Sequence, residues 1–248
     1  MRKIVKILIA VAAVLLCAAL AILIYVSDYY HASNAALETL RHPNNGVTIT
    51  ESKARIIFAP EHPEAGLIFY PGGKVQYESY APLMERCAEQ GLLCVLLHMP
   101  GNLAVLDMDA AEGIPEEFPE ITQWYIGGHS LGGAMAASYV KNHAETYRGL
   151  VLLAAYATDD LTDSDLEILS LYGTEDGVLN LEKYVESKAK LPEDFEEILI
   201  DGGCHAYFGS YGIQQGDGIP SISNEDQIEQ TAQAIAAMAF SSRSKLAG

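Results

Sequence analysis

The chain has 248 residues, of which 33 are acidic and 15 basic, so its formal net charge at pH 7 is −18. A charge of this sign and size excludes nucleic-acid binding through a basic surface and offers no basic patch to anionic lipid. Four cysteines are too few for a disulfide scaffold. The sequence contains neither an HExxH nor a CxxC pair, so it does not predict a metal site.

The first element in the chain is an uncharged apolar segment over residues 7–26. At about 1.5 Å per residue, a helix of this length is roughly 30 Å long, which is enough to cross a bilayer. Three basic residues precede it: Arg2, Lys3 and Lys6. They predict that this end stays in the cytoplasm and that the rest of the chain is extracytoplasmic. We predict a single-pass membrane anchor over residues 1–28 and a linker over residues 29–44. A cleaved signal peptide, which would leave a secreted protein, is the alternative.

Residues 45–248 are predicted to form one α/β domain. The predicted strands are VTIT (47–50) and ARIIFAP (54–60), which open the domain as a hairpin, then GLIFY (66–70), LLCVLLHM (92–99), QWYIGG (123–128), GLVLLAA (149–155), EILSLYG (167–173) and FEEILID (195–201). Helices are predicted over about 77–90, 131–143, 179–191 and 224–241, with a less regular one over 103–111. Apolar strands alternating with helices indicate a mainly parallel sheet with helices on both faces. No long insertion precedes strand 167–173, so we expect no lid domain and an open site.

The segment YIGGHSLGG (125–133) contains the pentapeptide G-x-S-x-G centred on Ser130. It lies between a predicted strand and a predicted helix, where Gly128 and Gly132 remove side chains that would collide in a tight turn. Such a turn exposes the serine hydroxyl and directs the first N–H groups of the helix, beginning with that of Leu131, at the reaction site. The pattern predicts Ser130 as a nucleophile and the Leu131 N–H as an oxyanion donor.

A nucleophilic serine in a G-x-S-x-G turn requires an acid and then a histidine later in the chain, and this sequence has both in that order. SLYGTEDGVL presents Asp176 after a strand, with Glu175 as the alternative, because an Asp-Gly turn projects a short carboxylate at the strand end. ILIDGGCHAYFGSYG places His205 after the last strand. The order predicts Asp176 as the acid and His205 as the base. A second oxyanion donor is expected after GLIFY, where the Gly73 N–H is the first choice and the Lys74 N–H the second.

Several segments together resemble the alpha/beta-hydrolase fold-5 family. They are FYPGGKVQYESYAPL, HMPGNLAVL, GGHSLGG, LYGTEDGVL and GGCHAYFGSYGIQQGDG, and the resemblance covers about residues 45–240. It implies an alpha/beta-hydrolase fold with Ser130 as nucleophile, Asp176 as acid and His205 as base. One position departs from the family, which usually has Asn before the histidine where this chain has Cys204. A thiol is a weaker hydrogen-bond donor, so the anchoring of the histidine is expected to differ.

These residues predict a membrane-anchored, extracytoplasmic serine hydrolase that cleaves carboxylic esters through an acyl-enzyme and needs no cofactor. Its partners would be a small-molecule ester or acyl substrate and, through the N-terminal helix, the membrane. An open site favours small, soluble esters over long lipids. An acyltransferase with the same triad and a catalytically silent cell-surface binding module are the alternatives. The sequence does not decide whether Cys87 and Cys94 form a disulfide, because two buried thiols explain the same pattern.

Overall fold

The computed structural model describes residues 2–241 of the chain, apart from the side chains of residues 22 and 23. Its central element is an eight-stranded sheet with the strand order β1-β2-β4-β3-β5-β6-β7-β8. The strands are β1 (Val47–Glu51), β2 (Arg55–Pro60), β3 (Ala65–Tyr70), β4 (Leu92–Leu97), β5 (Trp124–His129), β6 (Gly149–Leu153), β7 (Glu167–Gly173) and β8 (Glu196–Ile200). β2 pairs antiparallel with both β1 and β4, and every other pair is parallel. The predicted sheet and its opening hairpin are confirmed.

The described residues contain seven α-helices. They are α1 (Arg2–Ser27), α2 (Asn34–Arg41), α3 (Ala81–Glu89), α4 (Ile114–Glu117), α5 (Leu131–Val140), α6 (Leu181–Ser187) and α7 (Asn224–Phe240). α1 is long and apolar enough to cross a membrane, and its apolar stretch is not buried against the rest of the chain. Its length and composition fit a membrane span and equally a signal sequence. The last residues of the predicted domain, 242–248, lie outside the described range.

Two buried clusters lie on opposite faces of the sheet. Along β3, Leu67 and Phe69 belong to the cluster that α3 and α7 complete, whereas Ile68 and Tyr70 belong to the cluster that α5 completes. Every residue of β3, β4, β5 and β6 is buried. A strand buried on both faces is apolar on both, which is why these strands are continuous apolar runs in the sequence.

The segment assigned to a linker, residues 29–44, contains the helix α2. The Ser33 hydroxyl caps this helix by accepting a hydrogen bond from the Ala36 N–H at 3.2 Å. The Ala36 side chain is fully buried. The helix is short, and tertiary contact rather than local periodicity holds it in place.

The helix expected over residues 103–111 does not form. The chain there makes two short 3₁₀ turns, Pro100–Asn102 and Ala104–Leu106, before α4 begins. The Tyr70 hydroxyl donates to the Met108 carbonyl oxygen at 2.7 Å and accepts from the Ala111 N–H at 3.2 Å. These backbone groups are bound to a side chain of β3, so they are not available to a helix.

Candidate active site

Backbone strain is concentrated where the parallel strands end, at the carboxyl edge of the sheet. Within residues 2–241, four residues other than Gly have a positive φ, and they follow β3, β4, β5 and β6: Lys74, Asn102, Ser130 and Ala154. Such conformations cost roughly 1–3 kcal/mol each and are frequent at functional sites. The carboxyl edge is also where the sequence places the catalytic residues.

Ser130 occupies the turn between β5 and α5 with φ 53° and ψ −122°. Its side chain makes no capping hydrogen bond to α5, so the hydroxyl is not used to stabilise the helix. A Cβ atom at Gly132 would overlap the carbonyl oxygens of Tyr70 and Pro71. The turn can pack against the end of β3 only because this position lacks a side chain, and it holds the Ser130 hydroxyl at the carboxyl edge.

The structure brings Asp176 and His205 together. The Asp176 Oδ2 atom lies 2.9 Å from His205 Nδ1, and both side chains are 1% exposed. The other carboxylate oxygen of Asp176 accepts hydrogen bonds from the N–H groups of Val178, at 2.9 Å, and Leu179, at 2.8 Å. Glu175 is exposed. The acid that meets the histidine is therefore Asp176 rather than Glu175.

The second ring nitrogen of His205, Nε2, is buried and has no hydrogen-bond partner among the described residues. The rings of His205 and His129, the residue before Ser130, have centroids 4.6 Å apart, so the histidine lies beside the turn that carries the serine. A catalytic serine–histidine hydrogen bond is often long or poorly aligned before substrate binds. The Nε2 atom of His205 is therefore not committed to a structural hydrogen bond.

Two backbone N–H groups are available for an oxyanion. Neither the Leu131 N–H nor the Gly73 N–H donates a hydrogen bond within the part of the chain that the structure describes. A Cβ atom at Gly73 would lie 2.9 Å from Leu131 Cδ2, so the two residues adjoin. The Lys74 N–H, by contrast, donates to the Asn102 carbonyl oxygen at 2.8 Å. Within the loop after β3 (residues 71–76, the Gly-Gly loop), the geometry favours the N–H of Gly73 over that of Lys74 as the second candidate oxyanion donor.

A second aspartate, which the sequence did not single out, holds the loop that carries His205 (residues 201–223, the histidine loop). The Asp217 carboxylate accepts from the N–H groups of His205 at 3.1 Å, Ala206 at 2.8 Å and Gly177 at 3.1 Å. Burial alone raises the pKa of Asp217, but these donated N–H groups outweigh it and hold the pKa below its ordinary value. Asp217 therefore ties the histidine loop to the loop that follows Asp176.

The chain at Cys204 is anchored through its backbone groups, which bond the side chain of Gln227. The Cys204 N–H donates to Gln227 Oε1 at 3.0 Å, and Gln227 Nε2 donates to the Cys204 carbonyl oxygen at 2.8 Å. Burial and then the neighbouring Asp217 carboxylate raise the pKa of the Cys204 thiol to about 12. The thiol stays protonated, and α7, through Gln227, anchors the chain beside the histidine.

A buried tyrosine connects the Gly-Gly loop to the serine turn. The Gly72 N–H donates to the Tyr80 hydroxyl oxygen at 3.0 Å, and this hydroxyl lies 2.8 Å from His129 Nδ1. The hydroxyl has no other acceptor among the described residues, which assigns the His129 proton to Nε2. Burial, with the nearby His205, lowers the pKa of His129 well below its ordinary value. His129 therefore stays neutral next to the serine.

The chain passes directly from α1 to the site. The Tyr30 N–H donates to the Lys74 carbonyl oxygen at 2.8 Å, and the Gln76 N–H donates to the Tyr30 carbonyl oxygen at 2.9 Å. Three residues later, the Ser33 N–H donates to the carbonyl oxygen of Ser210, in the histidine loop, at 2.8 Å. The segment after α1 is therefore hydrogen-bonded to two of the loops that form the site.

Comparison with known proteins identifies the family. The sequence model of the alpha/beta hydrolase family matches residues 66–229, which include Ser130, Asp176 and His205. The chain belongs to the alpha/beta hydrolase family. No curated protein matches this alpha/beta hydrolase at a significant level. Within residues 2–241, no group of three or more His, Cys, Asp or Glu side chains is arranged to hold a metal ion.

Solved structures share the fold of this alpha/beta hydrolase. A protein described as a predicted CIB-like hydrolase from Thermoplasma acidophilum has 13% identity and a TM-score of 0.58, over 77% of this chain and 99% of that one. A bacterial heroin esterase has 14% identity and a TM-score of 0.57, over 83% of this chain and 89% of the esterase. Similarity at these sequence identities establishes the fold but does not identify the substrate, which has to be inferred from the residues of the site.

Proposed function

We propose that this alpha/beta hydrolase is a serine hydrolase of carboxylic esters, anchored in a membrane by α1 with its catalytic domain on the extracytoplasmic side. The observation that carries the proposal is the buried Asp176–His205 pair beside a serine held in a left-handed turn. A carboxylate on Nδ1 leaves Nε2 unprotonated and free to accept a proton. The heroin esterase, whose name states an ester substrate, has the same fold.

In the proposed reaction each of these groups has one role. Ser130 Oγ attacks the acyl carbon of the ester while His205 Nε2 accepts its proton, and Asp176 holds the imidazole in the required tautomer. The N–H groups of Leu131 and Gly73 donate to the oxyanion that forms. When the carbon–oxygen bond breaks, the leaving alcohol takes the proton from His205. Water then adds to the acyl-enzyme by the same route, which releases the acid and restores the serine.

The proposal is tested by two serine variants. Ser130→Ala should lower ester hydrolysis by several orders of magnitude and abolish labelling by a fluorophosphonate probe, with little change in thermal stability. The matched control is Ser170→Ala, because Ser170 is 1% exposed in β7 and lies 2.9 Å from the Tyr184 hydroxyl. This control should lose roughly 1 kcal/mol of stability and keep its activity. Full activity in Ser130→Ala would contradict the mechanism.

The extracytoplasmic location rests on the three basic residues that precede the apolar run of α1. A protease added to intact cells should digest the catalytic domain and leave the N-terminal end protected. Recovery of a soluble mature protein that begins near Ile22 would instead show that the segment is a cleaved signal peptide.

A further inference from the structure

The distance between the membrane anchor and the site is limited by the chain itself. The apolar run of α1 ends at Val26, and Tyr30 is hydrogen-bonded to the Gly-Gly loop on both sides of its backbone, at 2.8 and 2.9 Å. Four fully extended residues span at most about 14 Å. If α1 crosses a membrane, Tyr30 therefore lies within about 14 Å of the end of the apolar span, and the Gly-Gly loop that it bonds lies beside it.

Side chains at the end of α1 also contact the loops of the site. The Lys74 ammonium lies 2.8 Å from the Asp28 carboxylate and 4.6 Å from the centroid of the Tyr25 ring. A Cβ atom at Gly101 would lie 3.2 Å from Val26 Cγ1, so the turn after β4 packs against the last turn of α1. These contacts place the Gly-Gly loop and the turn after β4 at the level where the apolar helix ends.

The exposed apolar side chains of the domain are concentrated at the same edge. Outside α1, the described residues expose eight large apolar side chains, and five of them belong to the loops after β4 and β8: Val105, Leu106, Met108, Ile213 and Ile219. Val105 is 58% exposed and Leu106 59%. The Leu106 side chain adjoins the same Gly101 position as Val26, at 3.9 Å from the Cβ built there. An apolar group beside the end of a membrane helix is positioned to enter the lipid rather than water.

We propose that the carboxyl edge faces the leaflet from which α1 emerges, and that the substrate is an ester whose acyl chain lies in that leaflet. The proposal rests on the proposed function, because it requires both the anchor and the esterase site. Val105 and Leu106 enter the leaflet, and the ester is presented at the edge that carries Ser130. A substrate in the leaflet replaces the expectation of small, soluble esters. That expectation considered only that no lid domain is predicted, and not the short connection between α1 and the Gly-Gly loop.

The charges and apolar side chains of the carboxyl edge determine whether it fits a zwitterionic or an anionic leaflet. Asp107 and Asp109 are exposed on either side of Met108, and the chain as a whole has a formal charge of −18. Contact with the leaflet therefore depends on apolar burial rather than on charge. A zwitterionic leaflet suits this edge better than an anionic one, which would repel the two carboxylates.

The position of the edge can be measured without any enzymatic activity. The full-length protein would be placed in phosphatidylcholine vesicles that contain brominated lipid, which quenches tryptophan fluorescence on contact. The chain has one tryptophan, Trp124, which is 3% exposed. The added emission of a Val105→Trp variant should be quenched. That of a matched Asp165→Trp variant, at an exposed position just before β7 at the amino edge, should not. No quenching of the Val105→Trp variant, or equal quenching of both, would overturn the proposed orientation.

The substrate class is tested by a ratio of rates in the same vesicles. Hydrolysis of p-nitrophenyl palmitate dispersed in the bilayer is compared with hydrolysis of soluble p-nitrophenyl acetate. The double variant Val105→Ser/Leu106→Ser should lower the bilayer-to-soluble ratio about tenfold, whereas the control Val185→Ser, at an exposed position in the middle of α6, should keep it. An unchanged ratio in the first variant, or the same fall in both, would overturn the substrate class. Failure of the proposed function is distinguishable, because the wild type would then cleave neither ester while the quenching result stands.

Discussion

The carboxyl and amino edges of the sheet are built from the same strands and differ in what their loops do. At the carboxyl edge, four residues other than Gly take a positive φ, and His205 keeps an unpartnered ring nitrogen. At the amino edge, a groove of about 660 Å³ is lined by the first residues of β7 and β8 and by Arg148, which forms an ion pair with Glu167. None of the triad residues lines that groove.

The groove at the amino edge and the proposed site at the carboxyl edge therefore differ in the groups that they bring together. The groove at the amino edge is lined by charged side chains such as Arg148 and Glu167 together with apolar ones such as Leu166 and Met238. The carboxyl edge combines backbone strain with a buried, unpartnered ring nitrogen, and both features reduce the stability of the fold, which is why they are typical of functional sites. Variants at the two edges should therefore separate activity from stability.

The variant expected to lose the most activity with the least loss of stability is at Asp176. Asp176→Asn should lower kcat by roughly 10³–10⁴-fold, because the amide favours the wrong tautomer of His205 while the fold is retained. The matched variant is Glu175→Gln, at an exposed neighbour, which should keep nearly full activity. Steady-state kinetics on one soluble ester would measure both, and the reverse result would assign the acid to Glu175.

Asp217 should show an intermediate effect that depends on pH. Asp217→Asn weakens the hydrogen bonds that hold the His205 backbone, so activity should fall about tenfold to a hundredfold and stability at pH 7 should fall by roughly 1–2 kcal/mol. The folded-state pKa of Asp217 lies below its ordinary value of 3.8. The stabilisation is therefore present above about pH 4 and is lost as the pH falls through the folded-state pKa.

Thermal unfolding of the wild type and of Asp217→Asn between pH 3 and 7 would test this sign. The two proteins should differ most near neutral pH and converge in acid. A stability difference that grows as the pH falls would contradict the role given to the Asp217 carboxylate.

Tyr80 should affect activity less and stability more. Tyr80→Phe removes the hydroxyl between the Gly72 N–H and His129 Nδ1 and leaves two buried groups without partners, at a cost of roughly 2–3 kcal/mol. We expect about a tenfold fall in kcat with a nearly unchanged KM, because the Gly-Gly loop loses its support while the triad stays intact. Denaturation combined with kinetics would measure both. A loss of stability with no change in kcat would show that Tyr80 is purely structural.

The smallest effect is expected at the amino edge. Arg148→Ala breaks the partly exposed ion pair with Glu167, which is worth at most about 1 kcal/mol. Activity should stay within twofold of the wild type on both soluble and bilayer esters. A large loss of activity would show that the groove, rather than the carboxyl edge alone, takes part in substrate binding.

The sequence predicted the sheet because its inner strands are buried on both faces and are therefore continuous apolar runs. It also indicated Asp176 and His205, because the topology places the end of each parallel strand at one edge. It did not indicate Asp217 or Tyr80, whose roles depend on contacts with partners far along the chain. Tyr80 and His129, for example, are 49 positions apart. Local periodicity carries no information on such pairs, and for the same reason α2 was assigned to a linker.

The bridge between Tyr30 and Val75 links α1 to the site, so it would respond to a cut that separates the domain from α1. Tyr30 supports the Gly-Gly loop, and it belongs to the short stretch that a sheddase would have to cut to release the domain. A cut between Tyr30 and Ser33 would remove the two backbone hydrogen bonds that Tyr30 makes to the Gly-Gly loop, whereas a cut between Val26 and Tyr30 would keep them. Release by the first cut, and not by the second, would therefore loosen the loop that carries Gly73.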